Sequence, residues 1–415
     1  MNISIINTEK LFEYVKLFSF PRLAGTEGER KAVKLVSETF KKIGFQNEQI
    51  TKQNFEFSNF YSTIFIKLMI VMNIFIISIL LLVKYLYPFL ILIIICIMFI
   101  ILISTHRLFR HPELNCFWEK HFGKNISATN VFAKIPADTS SQRELGDIIV
   151  SAHLDSKSQT YQTIWRVLLF RIWMYFEIFF GICYFIFIID YHEFSIYFRE
   201  TILIFEFFIG LSAALVILSN FFLLFLNTEN KSLGALDNAS GMSIVFELSS
   251  FFKINPLNNF NIWFCQFSAE EIGTMGSRNF IDKYEYQFVK GKTFQINFDM
   301  VSAQNLKKNQ VEFIKSYGLL PRKKISPILN DYIQESARLE NININSFHVT
   351  VGAHTDSIPF HLRKFDSIDI TTRSAAKYTH SREDVPEKVD PIILTEAYSL
   401  VRRIILLLDD QYDLS

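Results

Sequence analysis

The sequence lacks an excess of either charge. Its 415 residues carry 42 basic and 41 acidic side chains, a formal net charge of +1. Nothing in that balance points to a nucleic-acid surface, and no nucleic-acid partner is expected. Cysteine is scarce too, with only four. Cys96 and Cys183 lie in long apolar runs, Cys265 lies in an expected buried strand, and Cys116 stands alone. No pair has zinc-finger or disulfide-framework spacing, so four unpaired thiols are expected. The stretch MNISIINTEKLFEYVKLF has no basic start followed by an apolar core and a small-residue cleavage site, so no signal peptide is expected.

Apolar residues, in contrast, are abundant. They make up 50% of the chain, and phenylalanine alone contributes 44, which is high for a purely soluble protein. Two regions concentrate them. One runs from Tyr61 to Ser104, broken only by VKYLYPF at Val83 to Phe89; the other runs from Ile164 to Leu226, broken by DYHEFSIYFRE at Asp190 to Glu200. Each piece has about 20 residues or more, enough for a helix to cross roughly 30 Å of hydrocarbon. The pattern predicts four transmembrane helices as two hairpins in a lipid bilayer. Glu177 and Glu206 fall inside the second hairpin, where a charge is costly. They are expected to pair with Arg171 or with polar groups of the other hairpin, or to sit protonated.

Outside the hairpins, helical and strand patterns alternate. TEGERKAVKLVSETFKKIGF opens with Thr26 and Glu29 in capping-box spacing, and Val33, Val36, Phe40 and Ile43 then form one apolar stripe. NVFAKI, DIIVSA, NIWFCQF and FQINF read as strands, ASGMSIVFELSSFF and PIILTEAYSLVRRIILLLDD as helices. Such alternation implies a layered α/β domain with a largely parallel sheet, in which ligands bind beyond the carboxyl ends of the strands.

Polar residues gather at those ends. DIIVSA runs into His153 and Asp155, NIWFCQFSA into Glu270 and Glu271, and FQINF into Asp299. GALDNASG brings Asp237 to a helix start, and YTHSREDVPEKVD carries His380. Carboxylates and imidazoles converging on one sheet edge repel and desolvate one another unless a cation lies between them. Five or six such groups exceed the needs of one tetrahedral zinc, so two metals bridged by one carboxylate fit better. The adjacent glutamates then divide the work: Glu271 binds metal, and Glu270 stays free to accept a proton from water. Asp155, two residues after His153, is spaced to orient that imidazole.

The blocks AHLDS, GALDNASGMSIVFEL, FSAEEIGTMGSRNF, INFDMVS and YTHSREDVPEKVD resemble, in order, those of the co-catalytic zinc exopeptidases, metallopeptidase family 28 of clan MH. RLAGTEGERKAVKLVSETFKKIGF is similar to that family's N-terminal segment, and TDSIPF, Thr355 to Phe360, resembles a loop near its substrate pocket. The resemblance covers nearly all the chain outside the hairpins. It implies a three-layer α/β/α domain with a central mixed, largely parallel sheet, here interrupted by two transmembrane hairpins. The implied segments are residues 1–60, 106–162 and 228–415 for the peptidase domain and 61–105 and 163–227 for the hairpins. It also implies two zinc ions per chain, one on His153, Asp237 and Asp299 and the other on Asp237, Glu271 and His380. Asp237 would be the bridge, Glu270 the general base and Asp155 the orienter of His153. His354 is the rival to His380 and is read as a pocket or loop residue; the remaining histidines, His361 among them, are read as surface residues.

The activity so implied is a membrane-bound metallo-aminopeptidase acting on peptides. A glutaminyl-peptide cyclotransferase-like enzyme is the first alternative, since those transferases share an HxDSK stretch, here His153 to Lys157. A glutamate-releasing carboxypeptidase is a further one, and a non-catalytic membrane scaffold of the same fold is another. The motif side of the hairpins carries Arg107, Arg110, Lys120, Lys124, Arg166 and Lys231, whereas the opposite turns carry only Lys84 and Arg199 as basic residues. That asymmetry predicts a multi-pass membrane protein with a cytoplasmic catalytic domain.

Overall fold

A computed structural model describes residues 8–108, 123–138, 145–193, 199–303, 310–318, 322–349 and 355–412. The chain divides into two units. The first comprises Met1–Phe57, Asn125–Thr163 and Thr228–Ser415, the second Ser58–Lys124 and Ile164–Asn227.

The first unit is built on a nine-stranded mixed sheet. At its centre run β6 (Phe260–Phe267), β3 (Gly146–His153), β7 (Thr293–Phe298) and β11 (Asp366–Ile370), all parallel. β2 (Asn125–Ile135) joins β6 antiparallel, with β1 (Ile50–Ser58) outside it. On the other side β8 (Val311–Tyr317) pairs antiparallel with β11, and β10 (Ile344–Val349) parallel with β8. The short β9 (Lys323–Lys324) also pairs with β8, while β4 (Ser158–Gln159) and β5 (Thr228–Glu229) form a separate ribbon.

The central strands are buried on both faces because helices cover both. Every residue of β3 is buried. Ile148, Val150 and Ala152 pack on one side in a core with Val36 and Phe40 of α2 (Glu27–Ile43), Phe246 of α7 (Ser240–Ile254) and Ile404 of α11 (Pro391–Gln411). α1 (Thr8–Phe18) and α9 (Pro327–Glu340) belong to that core as well. Ile149 points the other way, to Trp263, Cys265 and Phe267 of β6, Phe280 of α8 (Met275–Tyr284) and Phe360 of α10 (Ile358–Leu362). Each fully buried side chain of this size stabilises the fold by about 1.5–3 kcal/mol. Three layers result, and the parallel centre brings the carboxyl ends of β3, β6 and β7 to one edge.

One local expectation changes. Thr26 precedes α2, but its hydroxyl donates to the carbonyl of Leu23 and caps nothing. Glu29 reaches away from the helix start, accepting from the Thr129 N–H at 3.0 Å and the Ser268 hydroxyl at 3.0 Å. A buried carboxylate takes the donors that surround it, and here those come from neighbouring segments rather than from its own first turn.

The second unit holds α3 (Ile66–Val83), α4 (Pro88–Leu108), most of α5 (Thr163–Glu193) and α6 (Arg199–Leu224). Among the described residues, three helices are long and apolar enough to cross a membrane: Ser62–Val83, Thr163–Ile189 and Ile202–Leu224. The fourth expected span falls in α4, of which Phe89–Met98 is an apolar stretch among the described residues. Large apolar side chains such as Leu68, Phe75, Leu82 and Phe207 point outward. Glu177 and Glu206, the two glutamates inside the second apolar region, both have partners. Glu177 accepts from the Asn73 amide at 2.6 Å, Asn73 accepts from Asn220 at 2.7 Å, and Glu206 accepts from Lys84 at 2.5 Å and from the Tyr85 hydroxyl. Glu177 thus pairs with a polar group of the first hairpin, Asn73, one of the expected alternatives. Cys96, Cys183 and Cys265 are free thiols, and Cys116 lies outside the described residues.

Candidate metal centre

Five chain segments meet at the carboxyl edge of the parallel strands, and each has a local reason for its shape. β3 ends on His153. β6 gives way to Ser268–Ala269–Glu270–Glu271, where Ala269 takes φ 59° and turns the pair inward. The turn can be tight because Gly276 has no side chain: a Cβ there would lie 2.2 Å from the carbonyl of Ser268. β7 leads into Asp299, whose N–H donates to Ile370 at 3.1 Å, and Met300 follows at φ 53°. Asp237 sits before α7, where Gly234 takes φ +62° under Arg22 and Ser156. His380 itself has φ 60°. Left-handed non-glycine residues are uncommon and cluster at functional sites, where the surroundings hold them.

The structure brings five of the expected residues into two overlapping groups, His153–Asp237–Asp299 and Asp237–Glu271–His380. None is more than 8% exposed. Asp237 stands in both, one oxygen in each: Oδ1 lies 3.1 Å from His153 Nε2, and Oδ2 lies 3.1 Å from His380 Nε2. Asp299 Oδ1 is 3.5 Å from His153 Nε2, and Glu271 Oε2 is 3.1 Å from His380 Nε2. Glu270 belongs to neither group; its Oε2 is 4.0 Å from His153 Nε2. His354, the rival histidine, lies outside the described residues.

Asp155 stands beside His153 Nδ1 and also serves the glutamate pair. The Asp155 backbone carbonyl is 3.1 Å from His153 Nδ1, closer than its carboxylate at 3.6 Å. The carboxylate also accepts the N–H groups of Glu270 at 3.1 Å and Glu271 at 3.2 Å. It pins the backbone of the glutamate pair, whose two buried amides need an acceptor.

The donor set fits zinc. His153 Nε2 and Glu271 Oε1 are buried and make no hydrogen bond, a costly arrangement unless a ligand completes them. A tetrahedral ion with bonds of about 2.0–2.1 Å spaces its ligands roughly 3.3 Å apart, close to the 3.1–3.5 Å separations between these donors. Imidazole nitrogens with carboxylate oxygens are an ordinary zinc donor set.

The electrostatics carry the same imprint. Burial pulls the His153 imidazole down, but Asp155, Asp237 and Asp299 outweigh it and leave it well above the usual histidine range. Burial pushes Glu270 well above the ordinary carboxylate range; His153 opposes it, while Asp299, Glu271 and Asp356 push the same way as burial. Burial and Asp237 push Glu271 up, yet His380 and Lys157 hold it at about 2. Burial raises Asp299 to about 6.

Several contributors escaped the sequence reading. Asp384 accepts the N–H groups of Leu236 at 2.6 Å and Asp237 at 3.2 Å, and burial pushes it up to about 7. Lys157 Nζ lies 2.8 Å from Glu271 Oε2 and 2.9 Å from the Glu271 carbonyl. Asp356 is 1% exposed with neither carboxylate oxygen hydrogen-bonded, and burial raises it to about 7. All three stand inside motifs already singled out, YTHSREDVPEKVD, HxDSK and TDSIPF. Arg22 is fully buried and donates to five carbonyls, of Phe18, Phe20, Leu154, Leu233 and Gly234. Two of those flank His153 and Asp237.

The chain is similar to known proteins in sequence and in fold. Residues 221–405 match the profile of peptidase family M28. The matched segment contains Asp237, Glu270, Glu271, Asp299 and His380, whereas His153 and Asp155 precede it. The chain is 30% identical over 175 residues to "Aminopeptidase YwaD" of Bacillus subtilis, covering 40% of this chain and 36% of that protein. The match thus spans about a third of that relative's length. Among solved structures, an aminopeptidase from Aneurinibacillus sp. strain AM-1 superposes with a TM-score of 0.55 at 12% identity, over 97% of this chain and 94% of its own. An Acidobacteriales bacterium glutaminyl cyclase superposes with a TM-score of 0.54 at 14% identity, over 99% and 98%. At those identities the likeness shows a shared α/β fold.

Proposed function

We propose that this chain is a membrane-anchored, di-zinc member of the M28 peptidases that removes N-terminal residues from peptides. The observation that carries the reading is the shared Asp237, with one oxygen in each triad, beside a Glu270 that belongs to neither. Zinc, when held there, supplies Lewis acidity and the acidification of water that hydrolysis at neutral pH requires. The protein residues do the rest. Glu270 takes the proton of the attacking water at its carboxylate as the new C–O bond forms and the carbonyl opens, then passes it to the departing amine as the carbonyl re-forms and the scissile C–N bond breaks. Its burial raises its basicity toward what a general base needs at neutral pH. Asp155 fixes the glutamate pair through both backbone amides, and Asp384 fixes Asp237 in the same way.

The three long apolar helices, with outward-facing Leu, Phe and Ile, support insertion in a lipid bilayer. The excess of Lys and Arg on the motif side of the hairpins supports a cytoplasmic peptidase unit. Single cysteines at Tyr87 and Ser415 test this: labelling of Ser415 but not Tyr87 from outside intact cells would invert the topology.

A second reading, N-terminal glutamine cyclisation, has one observation in its favour: the lysine of the HxDSK stretch sits on Glu271. Purified full-length protein, assayed with aminoacyl amides and with peptides beginning in Gln, separates the readings. Aminopeptidase action releases the free N-terminal amino acid, cyclisation releases ammonia, and a scaffold releases neither.

A further inference from the structure

The surroundings of His380 point to a residue outside both triads. If Nε2 of His380 faces a metal, Nδ1 must carry the ring proton and find an acceptor. Ligating histidines usually pass that proton to a carboxylate, a backbone carbonyl or water. Here Nδ1 lies 3.0 Å from the hydroxyl oxygen of Thr163, a buried residue of the first unit and the first of α5. The proton inventory of that hydroxyl closes around the contact. Thr379 Oγ1 donates to it at 2.9 Å, and its own proton reaches toward the Thr379 carbonyl at 3.5 Å. A hydroxyl has two acceptor positions and one proton, so one acceptor position is left for Nδ1–H. The backbone of His380 is held separately, by φ 60° and by the Gln159 N–H donating to its carbonyl at 2.9 Å. That fixes where the ring begins; the Thr163 hydroxyl fixes its plane and tautomer.

We propose that Thr163 is a positioning residue of the metal centre, accepting His380 Nδ1–H and thereby presenting Nε2 to the Asp237–Glu271 side. A threonine at a helix start would ordinarily be read as a cap for its own first turn. The inference rests on the two-zinc reading, and the experiment separates the two. Full-length wild type, Thr163→Val and Thr163→Ser, purified in detergent, are loaded with zinc and titrated with a competing chelator. Hydrogen-bond partners of ligating histidines typically contribute 10–100-fold in metal affinity, so Thr163→Val should release one of its two ions about 10–100-fold more easily, with the other unchanged and Thr163→Ser close to wild type. If Thr163→Val does not fold, Thr163→Ala beside Thr163→Ser makes the same comparison. Equal retention of both ions by the Val and wild-type proteins overturns the inference and leaves the two-zinc reading intact. A Ser variant as weak as Val overturns it too, because the hydroxyl is then not the cause. A wild type that holds no zinc overturns both.

Discussion

Exchanging either carboxylate of the glutamate pair for its amide should give opposite failures. Glu270 is in neither triad, its carboxylate stands 4.0 Å from His153 Nε2, and its backbone is held independently by Asp155. Glu270→Gln therefore keeps shape, packing and both triads and removes only the proton acceptor. General-base assistance is worth about 10²–10⁴-fold, or roughly 3–5 kcal/mol of barrier, so turnover should fall by that factor while zinc content stays nearly unchanged. Glu271 is different: its Oε2 lies 3.1 Å from His380 Nε2 and 2.8 Å from Lys157 Nζ. Glu271→Gln takes the one anionic ligand unique to that triad and leaves Lys157 facing a neutral amide. Its metal affinity should fall by more than the 10–100-fold that changes behind the ligands produce. Zinc per chain by elemental analysis, with steady-state rates on an aminoacyl amide, reads both effects. Equal loss of zinc in the two variants, or wild-type turnover in Glu270→Gln, would refute the division of roles.

Three other outcomes follow from named contacts. Asp237→Asn should lower zinc at both sites together, since each oxygen serves one triad; loss of a single ion, by elemental analysis, contradicts the bridge. Arg22→Met should destabilise the protein by about 3–5 kcal/mol, because it strands buried carbonyls that a buried cation now satisfies; an unchanged denaturation midpoint argues against that role. His361 packs its ring against Tyr317 and is lowered by burial to about 4. Its folded value lies below the unfolded 6.5, so the unfolded chain binds more protons between those limits and stability is lost as pH falls through that window. The total is about 3 kcal/mol, and His361→Gln should flatten that part of the stability–pH curve; an identical slope in the variant counts against it.

The periodic features of the sequence were the legible ones. Strands such as GDIIVSAH are buried on both faces and carry an apolar centre, Ile148 to Val150, that marks them as strands. The parallel arrangement then brings their polar sequels to one edge, which is why residues as distant as His153, Glu271 and Asp299 could be considered together. What depends on side-chain partners was not legible. Glu29 has capping-box spacing but spends its carboxylate on Thr129 and Ser268. Asp155 has the spacing of a histidine orienter, and its spacing does not show that its carboxylate also holds two amides. His361 lacks any motif and was read as a surface residue, yet it packs into a polar cluster with Tyr317 and Asp369. In each case the deciding partner lies far along the chain, beyond the reach of local spacing.

Metal stoichiometry tests the central claim most directly. Wild-type full-length protein and Asp299→Ala, purified in parallel and dialysed mildly, would be measured for zinc per chain. Asp299 contributes to one triad only, so the account predicts two ions for wild type and one for the variant. A single ion in wild type, unaffected by Asp299→Ala, would contradict it.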